Sequence, residues 1–255
     1  MHLSILDRVN ESRMIGKKSF AILIDPDKIT NISGVIRTAN LCVENKVDFI
    51  FVGGSLITND KFSTIITTIK DHCNIPVIIF PGNHIQVEPA ADAILLLSLI
   101  SGRNPDMLIG QHIVAAPVIK RSKLEVIPTG YMLVNSGNHT SVSYMSNTIP
   151  IPSNKPTIAA CTAMAGEMLG LKIIYIDAGS GSDKPVPQKV ISAVRRSVDI
   201  PIIVGGGINS VLKAQNALES GADLLVIGNG IEDNHELLIQ VSNKIQSYNK
   251  ALNVH

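Results

Sequence analysis

The chain lacks tryptophan, and aromatic residues of all kinds make up only 4% of its 255 residues. Charged residues are also few, at 17%, and the formal net charge is +1. Proteins that hold nucleic acid by its phosphates usually carry a strongly basic face, so we expect no nucleic-acid partner. A hydrophobic fraction of 45% is too high for a disordered chain. These figures predict a globular protein with a small-molecule partner.

Cysteine is scarce as well, and long apolar runs are missing. Cys42, Cys73 and Cys161 are odd in number, widely spaced and without a CxxC pair, which argues against a disulfide framework or a zinc site. No run reaches the ~18 apolar residues of a transmembrane helix, and the first residues lack the features of a signal peptide. We expect a soluble, cytoplasmic protein that makes at most transient contact with a membrane surface.

Eight short runs rich in isoleucine, valine and leucine recur along the chain. They are continuous rather than alternating, which is typical of strands buried on both faces of a parallel sheet. Helical patterns separate most of them, at residues 33–44, 157–169, 187–197 and 210–220. The runs are FAILID from Phe20, DFIFVGGS from Asp48, PVIIFPG from Pro76, AILLL from Ala93, EVIPTGYMLV from Glu125, KIIYIDAG from Lys172, PIIVGGG from Pro201 and DLLVIGNG from Asp223.

Eight alternating strand and helix units in a chain of this length favour a (β/α)8 TIM barrel over an open doubly wound sheet. We therefore predict a single domain over residues 1–255. The third unit departs from the pattern, because the connection NHIQVEPAAD between the third and fourth strands has ten residues and a proline near its end. That is too short for a helix with two loops, so we expect the third helix to be missing or irregular.

One internal similarity links the two halves of the chain. VDFIFVGGS from Val47 and ADLLVIGNG from Ala222 share an aspartate, four apolar residues and a glycine end. A single similarity of this kind only hints at a repeat. The chain contains no low-complexity tract or linker, and the segment after Gly230 predicts a final amphipathic helix.

Three glycine-rich loops follow the last three strands. They are GSGS at residues 179–182, GGG at 205–207 and GNG at 228–230. Glycine lets the main chain approach an anion closely, and TIM barrels commonly bind phosphate after strands seven and eight. Each loop alone is more simply a tight turn. Three of them at neighbouring strand ends predict a phosphate site.

Oxygen ligands for a metal lie at the ends of the first two strands. Asp25 ends the first strand, and its carboxylate suits Mg²⁺. Ser55 ends the second strand and could join it, with most remaining ligands coming from water and substrate phosphate. The simpler alternative for Asp25 is a turn or a helix cap before Pro26.

The sixth strand carries the candidate base. Asp177 ends the strand beside the predicted phosphate site, and Tyr175 lies two residues earlier on the same face. A carboxylate next to a bound alcohol can accept its proton, whereas an acid at a strand end is often merely solvated. The histidines at positions 84, 112 and 139 show no metal-ligand spacing and are interpreted as surface or loop residues.

The motifs together resemble one known family. The chain is similar to the geranylgeranylglyceryl phosphate synthases over nearly its whole length, and it carries the motifs in the same order. That resemblance implies a TIM barrel with a modified third unit and a Mg²⁺-dependent transfer of a prenyl group from its diphosphate to the sn-3 hydroxyl of sn-glycerol 1-phosphate. It also implies a homo-oligomer. The motifs are LIDPDK, FVGGSLIT, PVIIFPGN, AILLLSLISGRNPDMLIGQH, EVIPTGY, YIDAGSGS, VGGGI and VIGNG.

The resemblance also implies roles for individual residues. Asp25 and Ser55 correspond to the magnesium ligands, and Asp177 to the catalytic base. Two positions depart from the family pattern, since some relatives have lysine at the position of Leu23 and many have glutamate at that of Asp177. The residues implied for sn-glycerol 1-phosphate are Tyr175, Ile176, Asp177, Ala178, Gly179, Ser180, Gly181, Gly206, Gly207, Gly228 and Asn229.

Three further expectations concern the binding of the prenyl group and the alternative functions of a phosphate-binding barrel. Residues 94–100 and the helix after Arg103 are predicted to form part of an apolar groove for the prenyl chain. A sugar-phosphate isomerase or aldolase would use the same phosphate site, but it usually needs a lysine or an acid–base pair at the strand ends, and no such lysine stands out. A non-catalytic phosphate-binding barrel is the third alternative.

Overall fold

In a computed structural model of the protein, residues 3–137, 139–228 and 235–252 are described. Within them, eight parallel strands pair in sequence order, and the last pairs with the first to close a barrel. Each of the eight predicted strands is confirmed, and so is the TIM barrel. The strands are β1 (Ser19–Ile24), β2 (Phe49–Gly54), β3 (Val77–Pro81), β4 (Ala93–Leu99), β5 (Glu125–Leu133), β6 (Ile173–Asp177), β7 (Ile202–Gly205) and β8 (Leu224–Ile227).

The strands bury both faces, which explains their continuous apolar sequences. Side chains alternate along each strand, so one set fills the barrel and the other packs under the helices. In β6, Tyr175 belongs to the interior cluster, and its neighbours Ile174 and Ile176 belong to the outer one. Both layers are apolar, and the sequence of β6 therefore shows no polar alternation.

Helices cover the outside of the barrel. The predicted helices at 33–44, 157–169, 187–197 and 210–220 are confirmed to within a few residues, and so is the final helix. A π-helical turn at Asp106–Gly110 runs into α4. The helices are α1 (Ile5–Met14), α2 (Ile32–Glu44), α3 (Phe62–His72), α4 (Gln111–Ser122), α5 (Ser141–Ser146), α6 (Pro156–Met168), α7 (Gln188–Arg195), α8 (Val211–Glu219) and α9 (His235–Ala251).

The connection between β3 and β4 contains no helix, as its length predicted. Residues 82–92 are described throughout and form turns and bends. Gln86 is buried in this segment, and its side chain accepts a hydrogen bond of 2.9 Å from Gly82 N. The missing helix leaves the outer face of β3 and β4 to this irregular segment and to α4.

Helix α1, which the sequence did not predict, packs across the end of the barrel where the amino ends of the strands lie. Its Ile5 and Val9 join the interior cluster. The carboxylate of Glu125, at the start of β5, accepts hydrogen bonds from Ile5 N and Leu6 N at 2.7 and 2.8 Å, and so satisfies main-chain donors of the helix's first turn. Helix α1 therefore packs over the end of the barrel that lies opposite the carboxyl ends of the strands.

The aspartate that the two similar segments share, Asp48 in one and Asp223 in the other, has a structural role. Asp48, just before β2, accepts a hydrogen bond of 3.0 Å from Phe20 N in β1. Asp223, just before β8, accepts one of 2.9 Å from Ile202 N in β7. Asp92, just before β4, does the same for Val77 N at 2.7 Å. The similarity thus reflects a recurring hydrogen bond, in which an aspartate before one strand binds the main chain at the start of the preceding strand. These bonds lie at the amino ends of the strands, far from the candidate site.

Candidate active site

The carboxyl ends of the strands surround a polar cavity. Most of its wall comes from the loops after strands β1, β2, β6, β7 and β8, as expected for a TIM-barrel site, and Phe80 of β3 and Val142 of α5 also contribute. The structure brings together ten of the residues that the sequence singled out, including the predicted base and the two predicted metal ligands. We call this the polar cavity, and those residues are Asp25, Ser55, Tyr175, Asp177, Gly179, Ser180, Gly181, Gly206, Gly207 and Gly228.

Three remaining predicted residues do not line this cavity or cannot be placed. The side chain of Ile176 is fully buried in the outer cluster, since it alternates with Tyr175 and Asp177 along β6. Ala178 also packs in that cluster, so a role for either residue in binding would have to use its main chain. Asn229 lies outside the described residues.

The glycines of these loops differ in how much space surrounds them. Gly206 has φ +78°, and a Cβ there would lie 2.4 Å from Asp177 Oδ1 and 2.7 Å from Ala178 N. The main chain of the β7 loop therefore lies directly against the β6 loop. At Gly228, a Cβ would meet Leu23 alone among the described residues, at an ordinary 3.7 Å. Glycine at 206 is thus required by the fold, whereas glycine at 228 leaves room in the cavity.

The polar cavity is rich in main-chain groups and poor in positive charge. Among the described residues that line it, none is lysine, arginine or histidine. Leu23, where some relatives have lysine, is one of the lining residues. An anion bound here would depend on main-chain N–H groups and hydroxyl groups such as that of Ser180.

Asp177 is buried and held by three donors. Tyr131 Oη donates to its Oδ2 at 2.5 Å, and Gly179 N donates to its Oδ1 at 2.8 Å. Burial raises the pKa of Asp177 above its ordinary value, and the hydrogen bonds from Tyr131, Gly179 and Ala178 partly offset that rise. A carboxylate whose proton affinity has been increased, at the wall of a polar cavity, is suited to accept a proton.

Asp25 both caps a turn and faces the cavity. Its Oδ1 accepts a hydrogen bond of 3.1 Å from Asp27 N, so the helix-cap alternative is correct as far as it goes. Its Oδ2 lies 3.9 Å from Lys28 Nζ. Burial raises the pKa of Asp25, and the hydrogen bond from Asp27 and the charge of Lys28 lower it. The cap leaves further lone pairs on the carboxylate for a ligand.

The oxygen donors of Asp25 and Ser55 fit a hard cation that takes its other ligands from the substrate and from water. Asp25 and Ser55 both line the polar cavity and offer oxygen only, which is the preference of Mg²⁺. The described residues contain no group of three or more His, Cys, Asp or Glu side chains that could hold a metal by themselves. A metal here would need most of its ligands from water and phosphate.

A second, apolar pocket adjoins the polar cavity. It is lined by β4 and by the inner side of the π-helical turn and α4, as the predicted prenyl groove required, although Ser98 and Ile100 do not line it. Of the histidines interpreted as surface or loop residues, His84 lies in the loop after β3 and His112 lies in α4, and both line this pocket. We call this the apolar pocket, and its main lining residues are Phe80, Ile94, Leu95, Leu96, Leu97, Leu99, Met107, His112, Ala115, Ile119, Tyr131 and Val142.

Sequence reasoning missed Phe80 and Tyr131. Phe80, next to last in β3, lines both the polar cavity and the apolar pocket. Tyr131 in β5 lines the apolar pocket and hydrogen bonds to Asp177. Their signal in the sequence is weak, because each is one aromatic residue inside an apolar strand.

A buried carboxylate, glycine loops and an adjoining apolar pocket at the carboxyl ends of the strands are the features of a TIM-barrel enzyme. The model of the PcrB family matches residues 12–246. The chain therefore belongs to the PcrB family and is a prenyltransferase. Within the described residues, every helix is too short or too polar to cross a membrane.

Individual relatives agree with this placement. The geranylgeranylglyceryl phosphate synthase of Spirosoma linguale is 52% identical over 244 residues, which cover 96% of this chain and 98% of the relative. That of Chitinophaga pinensis is 49% identical over 247 residues, covering 97% and 98%. The crystal structure of (S)-3-O-geranylgeranylglyceryl phosphate synthase from Thermoplasma acidophilum, in complex with its substrate sn-glycerol-1-phosphate, has a TM-score of 0.91 at 30% identity, covering 96% of this chain and all of that one.

Proposed function

We propose that the protein transfers a geranylgeranyl group, or another long prenyl group, from its diphosphate to the sn-3 hydroxyl of sn-glycerol 1-phosphate. The observation that carries this proposal is the junction of the two cavities. A cavity walled by glycine loops suits a small phosphate ester, and the apolar pocket beside it suits a hydrocarbon chain. The relatives named geranylgeranylglyceryl phosphate synthase support the same reaction.

The polar cavity would hold sn-glycerol 1-phosphate. We assign its phosphate to the loops containing Gly181, Gly206 and Gly228, on the side of the barrel formed by β6 to β8. Because the described lining has no cationic side chain, the phosphate would be bound by main-chain N–H groups, with Ser180 at the edge. The glycerol part would then extend toward Asp177.

Asp177 would act as the base. The oxygen at C3 of glycerol forms a bond to C1 of the prenyl group, the bond between C1 and the diphosphate oxygen breaks with its electron pair leaving on diphosphate, and the hydroxyl proton passes to Asp177. Its raised proton affinity supports this role. The products are geranylgeranylglyceryl phosphate and diphosphate.

Asp25 and Ser55, which follow β1 and β2, would hold Mg²⁺ in the same cavity. When bound, the ion would supply charge that stabilises the leaving diphosphate. Asp25 contributes the one anionic ligand, and its burial keeps that charge poorly solvated, which favours a cation partner. The prenyl chain would run from this point into the apolar pocket along β4.

We also propose a cytoplasmic setting and self-association. Cys42 and Cys73 are buried free thiols and Cys161 is an exposed one, as suits a reducing compartment. Helix α4 exposes Ile113, Val114 and Val118 side by side, and an apolar face of this kind often packs against another subunit.

The decisive experiment supplies labelled sn-glycerol 1-phosphate, Mg²⁺ and prenyl diphosphates of several lengths to the purified protein. We expect a prenylated glycerol phosphate by mass spectrometry and release of diphosphate. The control replaces sn-glycerol 1-phosphate with its enantiomer, which we expect to react far more slowly. If no prenyl diphosphate yields product, the proposed reaction is wrong, and an isomerase or aldolase assay on sugar phosphates becomes the next test.

A further inference from the structure

Three aromatic rings that line the two cavities pack against one another, although the chain has few aromatic residues. The rings of Phe80 and Tyr175 stack with centroids 5.1 Å apart and planes at 28°. Tyr131 meets Phe80 edge-on at 5.9 Å and lies 5.5 Å from Tyr175. The cluster is buried inside the barrel near its open end. An ordinary barrel layer is filled by branched aliphatic residues, so this layer is unusual.

The cluster lies where the two cavities meet. Phe80 lines both of them, Tyr131 lines the apolar pocket, and Tyr175 lines the polar cavity. The cavities share four lining residues in total: Gly54, Ser55, Phe80 and Val142. In the proposed reaction, C1 of the prenyl group must lie at this junction, between the diphosphate near Ser55 and the glycerol hydroxyl near Asp177.

Positive charge develops at that junction if the bond from C1 to diphosphate breaks ahead of bond formation to glycerol. Aromatic ring faces attract a cation through their quadrupole and offer no lone pair that would trap it. Tyr131 donates its proton toward the Asp177 carboxylate, which increases the electron density of its ring. Burial also keeps both tyrosines neutral, because it raises the pKa of each phenol well above its ordinary value.

We propose that the rings of Phe80 and Tyr131 are catalytic, stabilising the allylic cation as it forms at the junction of the two cavities. This inference rests on the proposed prenyl transfer. The electron pair of the breaking bond leaves with diphosphate, the cationic C1 is shielded by the rings, and the glycerol oxygen then attacks it and gives its proton to Asp177. The rings form no covalent bond.

The test replaces Phe80 with phenylalanines carrying one, two and three fluorine atoms on the ring. Fluorine weakens the ring quadrupole stepwise and changes the shape little. We expect the single-turnover rate to fall with each fluorine, while the KM for prenyl diphosphate stays nearly constant. For Phe80→Leu we expect a loss of about 10- to 30-fold, the size of a desolvated cation–π interaction.

Two matched comparisons separate this role from packing. Phe51 stacks on Phe80 at 6.4 Å and lies outside the lining of both cavities, so Phe51→Leu removes a neighbouring buried ring and should leave the single-turnover rate of the folded enzyme nearly unchanged. Tyr131→Leu removes a proposed ring and should slow the reaction more than Tyr131→Phe, which keeps the ring, when both are measured at high pH.

A flat rate across the fluorinated series, in an enzyme that makes the product, would overturn this inference and leave the proposed function intact. An equal loss from Phe51→Leu and Phe80→Leu would overturn it too, because packing would then explain both. If the unmodified enzyme makes no prenylated product, the proposed function fails first and this inference with it.

Discussion

Tyr131 donates its hydroxyl proton to Asp177 across a distance of 2.5 Å, and the two residues are 46 positions apart in the chain. In the pairing of β5 with β6, Tyr131 lies opposite Tyr175, and Leu133 lies opposite Asp177. Both Tyr131 and Asp177 point into the barrel, so the phenol reaches the carboxylate diagonally. The hydrogen bond favours the ionised form of Asp177, while burial favours the protonated form and prevails.

The acidic limb of the pH profile should report Asp177. A base must be ionised to work, and its pKa is raised above 3.8, so kcat should fall on acidification at a pH above the ordinary carboxyl range. Tyr131→Phe removes a hydrogen bond that lowers this pKa and should shift the limb to higher pH. Asp177→Asn should lower kcat by ~10²- to 10⁴-fold with little change in prenyl diphosphate KM. An identical limb in wild type and Tyr131→Phe would contradict this coupling.

Asp25→Asn should abolish most Mg²⁺-dependent activity while the fold is retained. The amide keeps the size of the carboxylate and can still cap the turn at Asp27, but it removes the anionic ligand. Titration of activity with Mg²⁺ measures the effect, and circular dichroism checks the fold. Asp60→Asn, at an exposed position in the loop after β2, is the control and should titrate like wild type. Equal Mg²⁺ dependence in all three proteins would place the metal elsewhere.

Gly228→Ala should affect substrate binding, whereas Gly206→Ala should affect both turnover and stability. A methyl group at 228 fits against Leu23 and enters the cavity wall, so we expect a higher KM for glycerol phosphate in a stable protein. A methyl group at 206 collides with Asp177 Oδ1 and requires positive φ, so it should lower both kcat and the melting temperature. Steady-state kinetics and thermal unfolding of both variants provide the measurements. An unchanged KM in Gly228→Ala would show that the phosphate does not bind against the loop after β8.

Ser180→Ala should act on affinity rather than on turnover. Ser180 is exposed in the loop after β6 and lines the polar cavity, where its hydroxyl can donate to phosphate. Loss of one hydrogen bond to a charged group costs about 1.5–3 kcal/mol, which predicts a rise of about 10- to 100-fold in glycerol phosphate KM. The value of kcat should stay close to that of wild type. A fall in kcat without a change in KM would argue against phosphate contact.

Asp48→Asn should stabilise the protein at neutral pH. Burial raises the pKa of Asp48 to about 6, so the folded state holds a proton that the unfolded state has lost, and stability falls as pH rises from about 4 to 6. Asparagine can still accept the hydrogen bond from Phe20 N without a buried charge. Relative to wild type, we expect about 1–3 kcal/mol of added stability at pH 7 and little at pH 4.

Denaturant unfolding at the two pH values measures this effect. Asp92→Asn is the matched control, because Asp92 ties strand starts in the same way but pairs with Lys70 at 2.7 Å. Removal of that charge should destabilise the protein at pH 7. A difference between Asp48→Asn and wild type that does not vary with pH would show that Asp48 keeps an ordinary carboxyl pKa.

The sequence alone determined the strands, most of the helices and the loops that wall the polar cavity. Strand identity follows from local composition, because continuous apolar runs between helical patterns leave few other folds. The absent third helix follows from chain length, since ten residues cannot form a helix and two loops. Strict attention to side-chain alternation along β6 would also have separated Tyr175 and Asp177, which face inward, from Ile176, which faces outward.

Only the tertiary structure decided which distant residues meet. The bond from Tyr131 to Asp177 and the position of Phe80 between two cavities depend on the stagger of the closed barrel, which no local pattern encodes. The same is true of α1, whose apolar Ile5 and Val9 find their partners only once the barrel has formed. Local sequence patterns therefore determined which strands and loops form the site. Closure of the barrel determined which of their side chains touch, and so which groups can act together.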